Sequence, residues 1–317
     1  MFSPFDPHVG WREIFRRTLK EMADDDVLNL AAQLAYYFLF ALFPALLCVI
    51  AITSYLPLHH FTDDVVRALG RVMPTEGLTL IQTQMLRLAE RRDGGLAGLG
   101  LLGALWSSTA AVSGLIDALN GAYDIQEGRA WWKVRLIAIA LTITLAVFVV
   151  VATTLVLAGP QLADWMAHRF GFGSFFLVAW KVLQWPFAMA LVSTAVGLVY
   201  YFAPDAEQDW SWITPGSLVA TLLWFVVSLV FRLYVVRFGN YEATYGALGA
   251  VIILLTWFYL TGLVILLGAE LNAEIEHASP WGKAPGEKVP GQKRKLGAAA
   301  WRAFRLRRPR PIQQVSR

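Results

Sequence analysis

Six long apolar stretches constrain the fold of this chain more than any other feature of its sequence. A helix needs about 20 residues to cross the roughly 30 Å of hydrocarbon in a bilayer, and every stretch exceeds that length. Runs this long, rich in Leu and Ala and without alternation, are typical of membrane-spanning helices rather than of barrel strands. The predicted spans are residues 31–56, 96–121, 134–159, 174–203, 211–236 and 245–272.

The composition excludes a soluble domain. Of the 317 residues, 57% are apolar and 16% are charged, whereas soluble domains have about 45–50% apolar residues and about 25% charged ones. A single cysteine, Cys48, excludes an intrachain disulfide and a Cys-rich metal site. No P-loop, Rossmann fingerprint, nucleophile elbow or zinc-protease motif is present. The sequence predicts an all-α, polytopic membrane protein with no cofactor.

The distribution of Lys and Arg predicts the orientation. With the N-terminus inside, 18 of the 27 basic residues fall on cytoplasmic segments and 7 on outer loops. Residues 278–317 contribute most of that excess, and their Pro and Gly content predicts a mostly disordered cytoplasmic tail. The chain is therefore divided into a cytoplasmic segment 1–30, a transmembrane domain 31–277 and this tail. The outer loop 57–95 is predicted to be periplasmic and to contain two short helices.

Residues 11–22 predict an amphipathic helix that lies on the inner leaflet. Its apolar side chains recur at helical spacing, and the opposite side is basic, which favours contact with anionic phospholipids. A helix that packs against a soluble partner is the alternative. The predicted lipid-contacting residues are Arg12, Arg16, Arg17 and Lys20.

The second span carries a polar stripe. Its side chains are spaced 4, 4 and 3 residues apart, so they share one helix face. Such a face favours a polar path along a cavity, with Asp117 as its carboxylate, because an ionisable group at membrane depth is costly and usually functional or paired. Interhelical hydrogen bonding alone is the alternative. The stripe consists of Thr109, Ser113, Asp117 and Asn120.

The sixth span has a second polar face, and two other spans contain proline. Glu270 either belongs to the polar path or reaches water at the headgroups. Pro44 and Pro186 are candidate kinks, because proline removes a helical donor. The face of the sixth span consists of Tyr245, Thr256, Tyr259 and Glu270.

Several short strings together resemble the YihY/BrkB family of bacterial inner-membrane proteins, formerly labelled ribonuclease BN. They occur in one order along residues 10–278. The resemblance implies six transmembrane helices in the bacterial cytoplasmic membrane and a link to envelope integrity, with lipid translocation in some relatives. The strings are Ala-Tyr-Tyr at 35–37 with Phe-Pro at 43–44, Leu-Trp-Ser-Ser at 105–108 with Leu-Asn at 119–120, Tyr-Tyr-Phe-Ala-Pro-Asp at 200–205, Pro-Gly at 215–216, Tyr-Gly at 245–246, Trp257 and Gly-Ala-Glu-Leu-Asn at 268–272.

Three functions compete on this evidence. The first is a transporter or flippase-like protein for an envelope lipid or another anionic, amphipathic solute. The second is a non-transporting membrane scaffold for envelope integrity. The third, a ribonuclease, is least supported, because the predicted cytoplasmic segments contain only scattered acids. The basic tail could contact nucleic acid, but attraction to anionic lipid explains its charge equally well. No specific nucleic-acid partner is therefore expected.

Overall fold

The described part of the chain is helical throughout, and it contains no strand. The computed structural model describes residues 10–55, 94–170, 174–238, 247–279 and 282–289. A short helix is followed by six long ones of at least 29 residues, about 43 Å or more at 1.5 Å per residue. The seven helices are α1 (Trp11–Asp24), α2 (Val27–Tyr55), α3 (Gly94–Ala122), α4 (Trp131–Phe170), α5 (Ser174–Phe202), α6 (Trp210–Phe238) and α7 (Ala247–His277).

The long helices confirm a polytopic, all-α membrane protein. Four contain a window long and apolar enough to cross a bilayer, and α2 contains a shorter apolar segment, Val27–Leu42. The number of spans and their orientation stay predictions. The four windows are Trp131–Val156, Phe175–Phe202, Ile213–Val235 and Val251–His277.

The six long helices form a closed series. Each packs against the next along the chain, and α7 returns to pack against α2. Helix α7 also contacts α1 and α3, which gives it the largest number of neighbours. The main core consists of apolar side chains from the ends of these helices, such as Leu34, Ile116, Leu119 and Leu266.

One end of this bundle is polar. There the connections 123–130 and 203–209 meet residues 282–289, and α1 packs beside α7. We call this region the polar end, and it is the end predicted to be cytoplasmic.

The predicted and observed helix bounds differ most in α4 and α7. Helix α4 continues through Pro160 to Phe170, because proline removes one backbone donor without forcing the chain to stop. Helix α7 continues to His277, and its last turns are buried. Residues 282–289, near the start of the predicted tail, have defined contacts with the bundle, and the division of the chain into three segments stays a prediction. The two short helices predicted in the outer loop lie outside the described residues.

Candidate functional site

Helices α6 and α7 approach closely enough for their backbones to touch. A Cβ atom on Gly216 would lie 2.1 Å from the carbonyl oxygen of Gly268, and one on Gly268 would lie 2.5 Å from the Tyr200 hydroxyl. The Asn272 side chain accepts a hydrogen bond from the Gly216 amide at 2.7 Å and donates to the Ile213 carbonyl at 3.2 Å. It thereby bonds backbone groups on both sides of Pro215, which has no amide proton.

A network of hydrogen bonds joins the connections at the polar end. Asn120, at the end of α3, donates to Glu127 at 2.9 Å and accepts from the backbone amide of Asp205 at 2.8 Å. Arg129 donates to Glu127 at 2.6 Å and to the Ala203 carbonyl at 2.7 Å. The hydrogen bonding of the Arg129 side chain to Glu127 is the main reason why the pKa of Glu127 falls to about 2. Glu127 is therefore ionised at neutral pH, and the 123–130 connection is fixed to the end of α5.

Residues 282–289 fold back across this network. The Lys283 ammonium is 2.9 Å from the Glu276 carboxylate and donates to the Glu207 carbonyl at 2.6 Å, and only 2% of the residue is exposed. Lys288 pairs with Asp205. An open groove of about 390 Å³ lies alongside, with both basic and aromatic walls. Its lining includes Arg129, Tyr201, Phe202, Asp205, Lys288 and Val289.

A buried carboxyl group lies next to other acids on α7. Glu270 is 1% exposed and lies within hydrogen-bonding reach of Asp25 in the turn after α1, and its Oε1 atom has no hydrogen-bond partner among the described residues. Asp124 and Glu21 are its other acidic neighbours. Burial, followed by the negative charge of Asp124, raises the pKa of Asp25. We call Glu21, Asp25, Asp124 and Glu270 the carboxyl cluster.

Two residues of the polar end have left-handed backbone angles. Asp124 has φ 55° and ends α3, with Ile125 donating to the Asn120 carbonyl and Asp124 donating to the Gly121 carbonyl. This is a Schellman motif in which aspartate occupies the position that glycine usually takes. Asp26, next to Asp25, has φ 54°. One of these positions, Asp124, thus belongs to the carboxyl cluster, and the other, Asp26, adjoins it.

An arginine without a carboxylate partner lies near the start of α4. The Arg135 guanidinium is 3.9 Å from the centroid of the Trp106 ring and donates to the Trp106 carbonyl at 2.5 Å. Its Nε atom has no hydrogen-bond partner, and within the described ranges no acid pairs with it. Trp131, Trp132 and Lys133 are exposed in the first turn of the same helix. These five residues are called the headgroup site below.

The predicted stripe on α3 divides into groups with different surroundings. The Thr109 hydroxyl donates to the Trp106 carbonyl and the Ser113 hydroxyl to the Thr109 carbonyl, so both bond within their own helix. Asn120 belongs to the network at the polar end, whereas Asp117 is exposed. The structure therefore does not bring Asp117 together with buried Glu270, and a polar path through both stays a prediction.

The face predicted on the sixth span divides in a similar way. Thr256 is exposed and donates to the Ile252 carbonyl of its own helix, while Tyr259 packs against the main core. Glu270 does not reach solvent, because α1 and the end of α3 cover it. Tyr245 lies outside the described residues. Helix α2 continues through position 44, whose side chain is outside the described part, and α5 continues through Pro186.

The amphipathic helix packs against the bundle along one edge only. Ile14 is buried with Leu271 and Ile275 of α7, while Trp11, Phe15 and Leu19 are exposed. The basic residues lie on the outer side of this helix, where Glu13 pairs with two of them and Asp24 with a third. Contact with phospholipid stays a prediction for Arg12, Arg16, Arg17 and Lys20.

Replacing Asp117 with Asn tests the role of this exposed carboxylate. We expect the free energy of unfolding to change by less than about 0.5 kcal/mol, because surface substitutions without special contacts have small effects. Thermal unfolding in detergent measures this. If the stability is unchanged but the variant no longer supports envelope integrity in cells, the proton-binding carboxylate of Asp117 is functional. Unchanged stability together with full activity would contradict a role in transport.

Sequence reasoning missed the partners of several residues. Arg135 entered only as one of the basic residues that set the orientation, and Lys283 was assigned to the disordered tail. The available signal was the set of family strings, because members from distant parts of the sequence meet at the polar end. Tyr200 and Asp205 come from one such string and contact the Ile265 carbonyl and Asn120, and Gly216 comes from another and contacts Asn272.

Comparisons with known proteins give a consistent result. The family described as virulence factor BrkB matches residues 18–293. The chain is 36% identical over 243 residues to the ribonuclease-like protein YfkH of Bacillus subtilis, covering 77% of this chain and 88% of YfkH. A UPF0761 membrane protein of Rhodospirillum rubrum is 28% identical over 271 residues, which are 81% of this chain but 57% of that relative. No solved structure matches.

Proposed function

Because the chain belongs to the virulence factor BrkB family and is a membrane protein, we propose that it is a flippase-like transporter of the bacterial inner membrane. Its substrate is an anionic, amphipathic envelope lipid. The observation that carries this proposal is the headgroup site, where a guanidinium without a carboxylate partner lies among exposed tryptophans.

The surroundings of Arg135 favour a phosphate as its partner. Other cations near the polar end, such as Arg129, Lys283 and Lys288, pair with carboxylates of this chain. Arg135 has five N–H donors, and among the described residues its contacts are the Trp106 ring and carbonyl. A planar guanidinium can form two parallel hydrogen bonds with a phosphate. An anionic headgroup would therefore supply the negative charge that the described part of the chain does not place beside Arg135.

The neighbouring tryptophans support a position at the membrane surface. Trp131 and Trp132 begin the apolar window of α4, and Trp131 is 76% exposed. Tryptophan is enriched at membrane interfaces because its ring is apolar and its N–H is polar. Arg135 follows one turn later, close to the predicted cytoplasmic end of this span. Lys133, whose ammonium is 5.5 Å from the centroid of the Trp132 ring, adds a second cation.

Reconstituted vesicles test the proposal. The purified full chain would be placed in phosphatidylcholine vesicles containing fluorescent phosphatidylglycerol, and a membrane-impermeant quencher would report the lipid that reaches the outer leaflet. We expect wild-type protein to accelerate the exchange between leaflets. Replacing Arg135 with Gln should slow this exchange about tenfold, because a hydrogen bond to a charged group contributes about 1.5–3 kcal/mol. Replacing it with Lys should restore part of the rate.

A matched variant at the other end of α4 controls for charge. Arg169 is exposed in the last turn of that helix, and Arg169→Gln should leave the exchange rate unchanged. Vesicles with folded wild-type protein that exchange lipid no faster than empty vesicles would contradict transport. That result would favour the alternative, a membrane scaffold for envelope integrity.

Because the relative YfkH is named ribonuclease-like, cleavage of RNA by this chain requires its own test. We propose that this chain is not a ribonuclease, since the Arg129, Lys283 and Lys288 side chains near its polar end are held in ion pairs within the fold. Purified protein should not cleave tRNA precursors above background, with or without divalent metal. Cleavage that a point substitution in this chain abolishes would contradict the proposal.

A further inference from the structure

Glu270 is buried in a way that requires an explanation. It lies on α7 in the stretch that packs against α1, and neither solvent nor a protein donor reaches its Oε1 atom. An isolated carboxylate is very costly to bury, so a buried acid is usually paired with a cation or protonated. In the described part of the chain, no Lys, Arg or His forms an ion pair with Glu270, Asp25 or Asp124.

Among the residues that the structure describes, the groups that face Glu270 are acidic or neutral. Asp25 and Glu21 face it from α1 and the following turn, and Asp124 faces it from the end of α3. Tyr123, which precedes Asp124, lies within electrostatic range of the Glu270 carboxylate and within hydrogen-bonding reach of Asn272. Helix α2 contains no charged residue. Helix α6 contains only two, Arg232 and Arg237, both in its last two turns and far from this end.

The closeness of Asp25 and Glu270 points to a proton as the compensating charge. The two carboxyl groups lie within hydrogen-bonding reach of each other, and two carboxylates have only acceptor oxygens, so a proton on one of them is needed to turn this contact from repulsive to attractive. Among the residues the structure describes, the acids are not arranged to hold a metal ion. A single proton satisfies both groups, reduces the repulsion with Asp124 and Glu21, and needs no additional space.

We propose that Asp25 and Glu270 form a proton-binding site in which the two carboxyl groups share one proton. The site goes beyond lipid transport, because it would bind its proton whether or not the protein moves a lipid. It connects the turn between α1 and α2 to α7. Loss of the proton leaves two adjacent negative charges and separates that turn from α7, so the proton controls how firmly α1 is held on the bundle.

The pKa of Asp25 supports this assignment. Burial and the Asp124 carboxylate raise it, so the folded protein keeps a proton that the unfolded chain has lost. A folded state that binds more protons becomes less stable as the pH rises. The site should therefore favour the docked position of α1 at low pH and weaken it at higher pH.

Infrared spectroscopy of the purified full chain in detergent tests the shared proton directly. We expect a carbonyl band from a protonated carboxyl group at low pH, which disappears as the pH rises. Glu270→Gln and Asp25→Asn should each remove the band. Glu274→Gln should keep it, since Glu274 is a buried carboxylate on the same helix that lies 3.6 Å from His277.

Thermal unfolding over the same pH range provides the second readout. The unfolding temperature of the wild type should fall as the pH rises, and that of Glu270→Gln should fall much less. The proposal is overturned if no such band exists, if the band persists in both variants, or if the two proteins lose stability equally. None of these outcomes depends on lipid exchange, so this proposal and the proposed transport fail separately.

Discussion

Replacing Gly216 with Ala should prevent α6 and α7 from packing as they do. The added methyl group would lie 2.1 Å from the Gly268 carbonyl and 2.4 Å from the Asn272 side-chain oxygen. The first contact is with the backbone, so no side-chain rotation relieves it and the helices must separate. We expect a destabilisation at or above about 3 kcal/mol and a large loss of folded protein, measured by size-exclusion chromatography and thermal unfolding in detergent.

Gly121 provides a matched control in α3. A Cβ at that position would meet only a methyl group of Leu30, at 3.9 Å. Alanine favours a helix by up to about 1 kcal/mol relative to glycine, so Gly121→Ala should leave the stability unchanged or increase it. If the two variants were equally stable, the close contact between α6 and α7 would be contradicted.

Replacing Lys283 with Met should lower stability almost as much. The substitution keeps most of the side-chain volume but leaves the Glu276 carboxylate, 3% exposed, without its cation. Breaking a buried ion pair typically costs about 3–5 kcal/mol. In this variant the unfolding temperature should fall by about 10 °C, which differential scanning fluorimetry would detect.

A double substitution separates the effect of the unpaired Glu276 charge on stability from the effect of altered packing. Glu276→Leu combined with Lys283→Met removes both charges, so stability should recover in part, as it does when buried pairs are replaced by apolar residues. Lys20 is the control, because its pair with Asp24 is exposed and Lys20→Met should change stability by less than about 1 kcal/mol. Equal effects of Lys283→Met and Lys20→Met would mean that Lys283 is not buried in solution.

Hydropathy was sufficient to predict the helices, because the length of each apolar run is determined by local sequence. The predicted spans 174–203 and 211–236 agree with α5 and α6 to within two residues. The end of α7 was less predictable. Its last turns contain three glutamates, which indicate a surface, but they are buried because α1 and residues 282–289 cover them.

Partners across the fold could not be predicted from spacing along one helix. The 4, 4 and 3 residue spacing on α3 correctly placed polar side chains on that helix, but it could not reveal that Asn120 contacts Asp205, 85 residues later. The same applies to Lys283. A segment rich in Pro, Gly and Lys is usually disordered, and only the buried Glu276 and the Glu207 carbonyl give this lysine a fixed position.

The position of residues 282–289 in the chain has a consequence for biosynthesis. Lys283 and Lys288 attach to Glu207 and Asp205, yet they are translated only after all seven helices. Domains fold progressively from the N-terminus during synthesis, so the helices must enter the membrane and find one another before this segment can bind. Until residues 282–289 have been translated, the nascent bundle therefore lacks these two lysine contacts at its polar end.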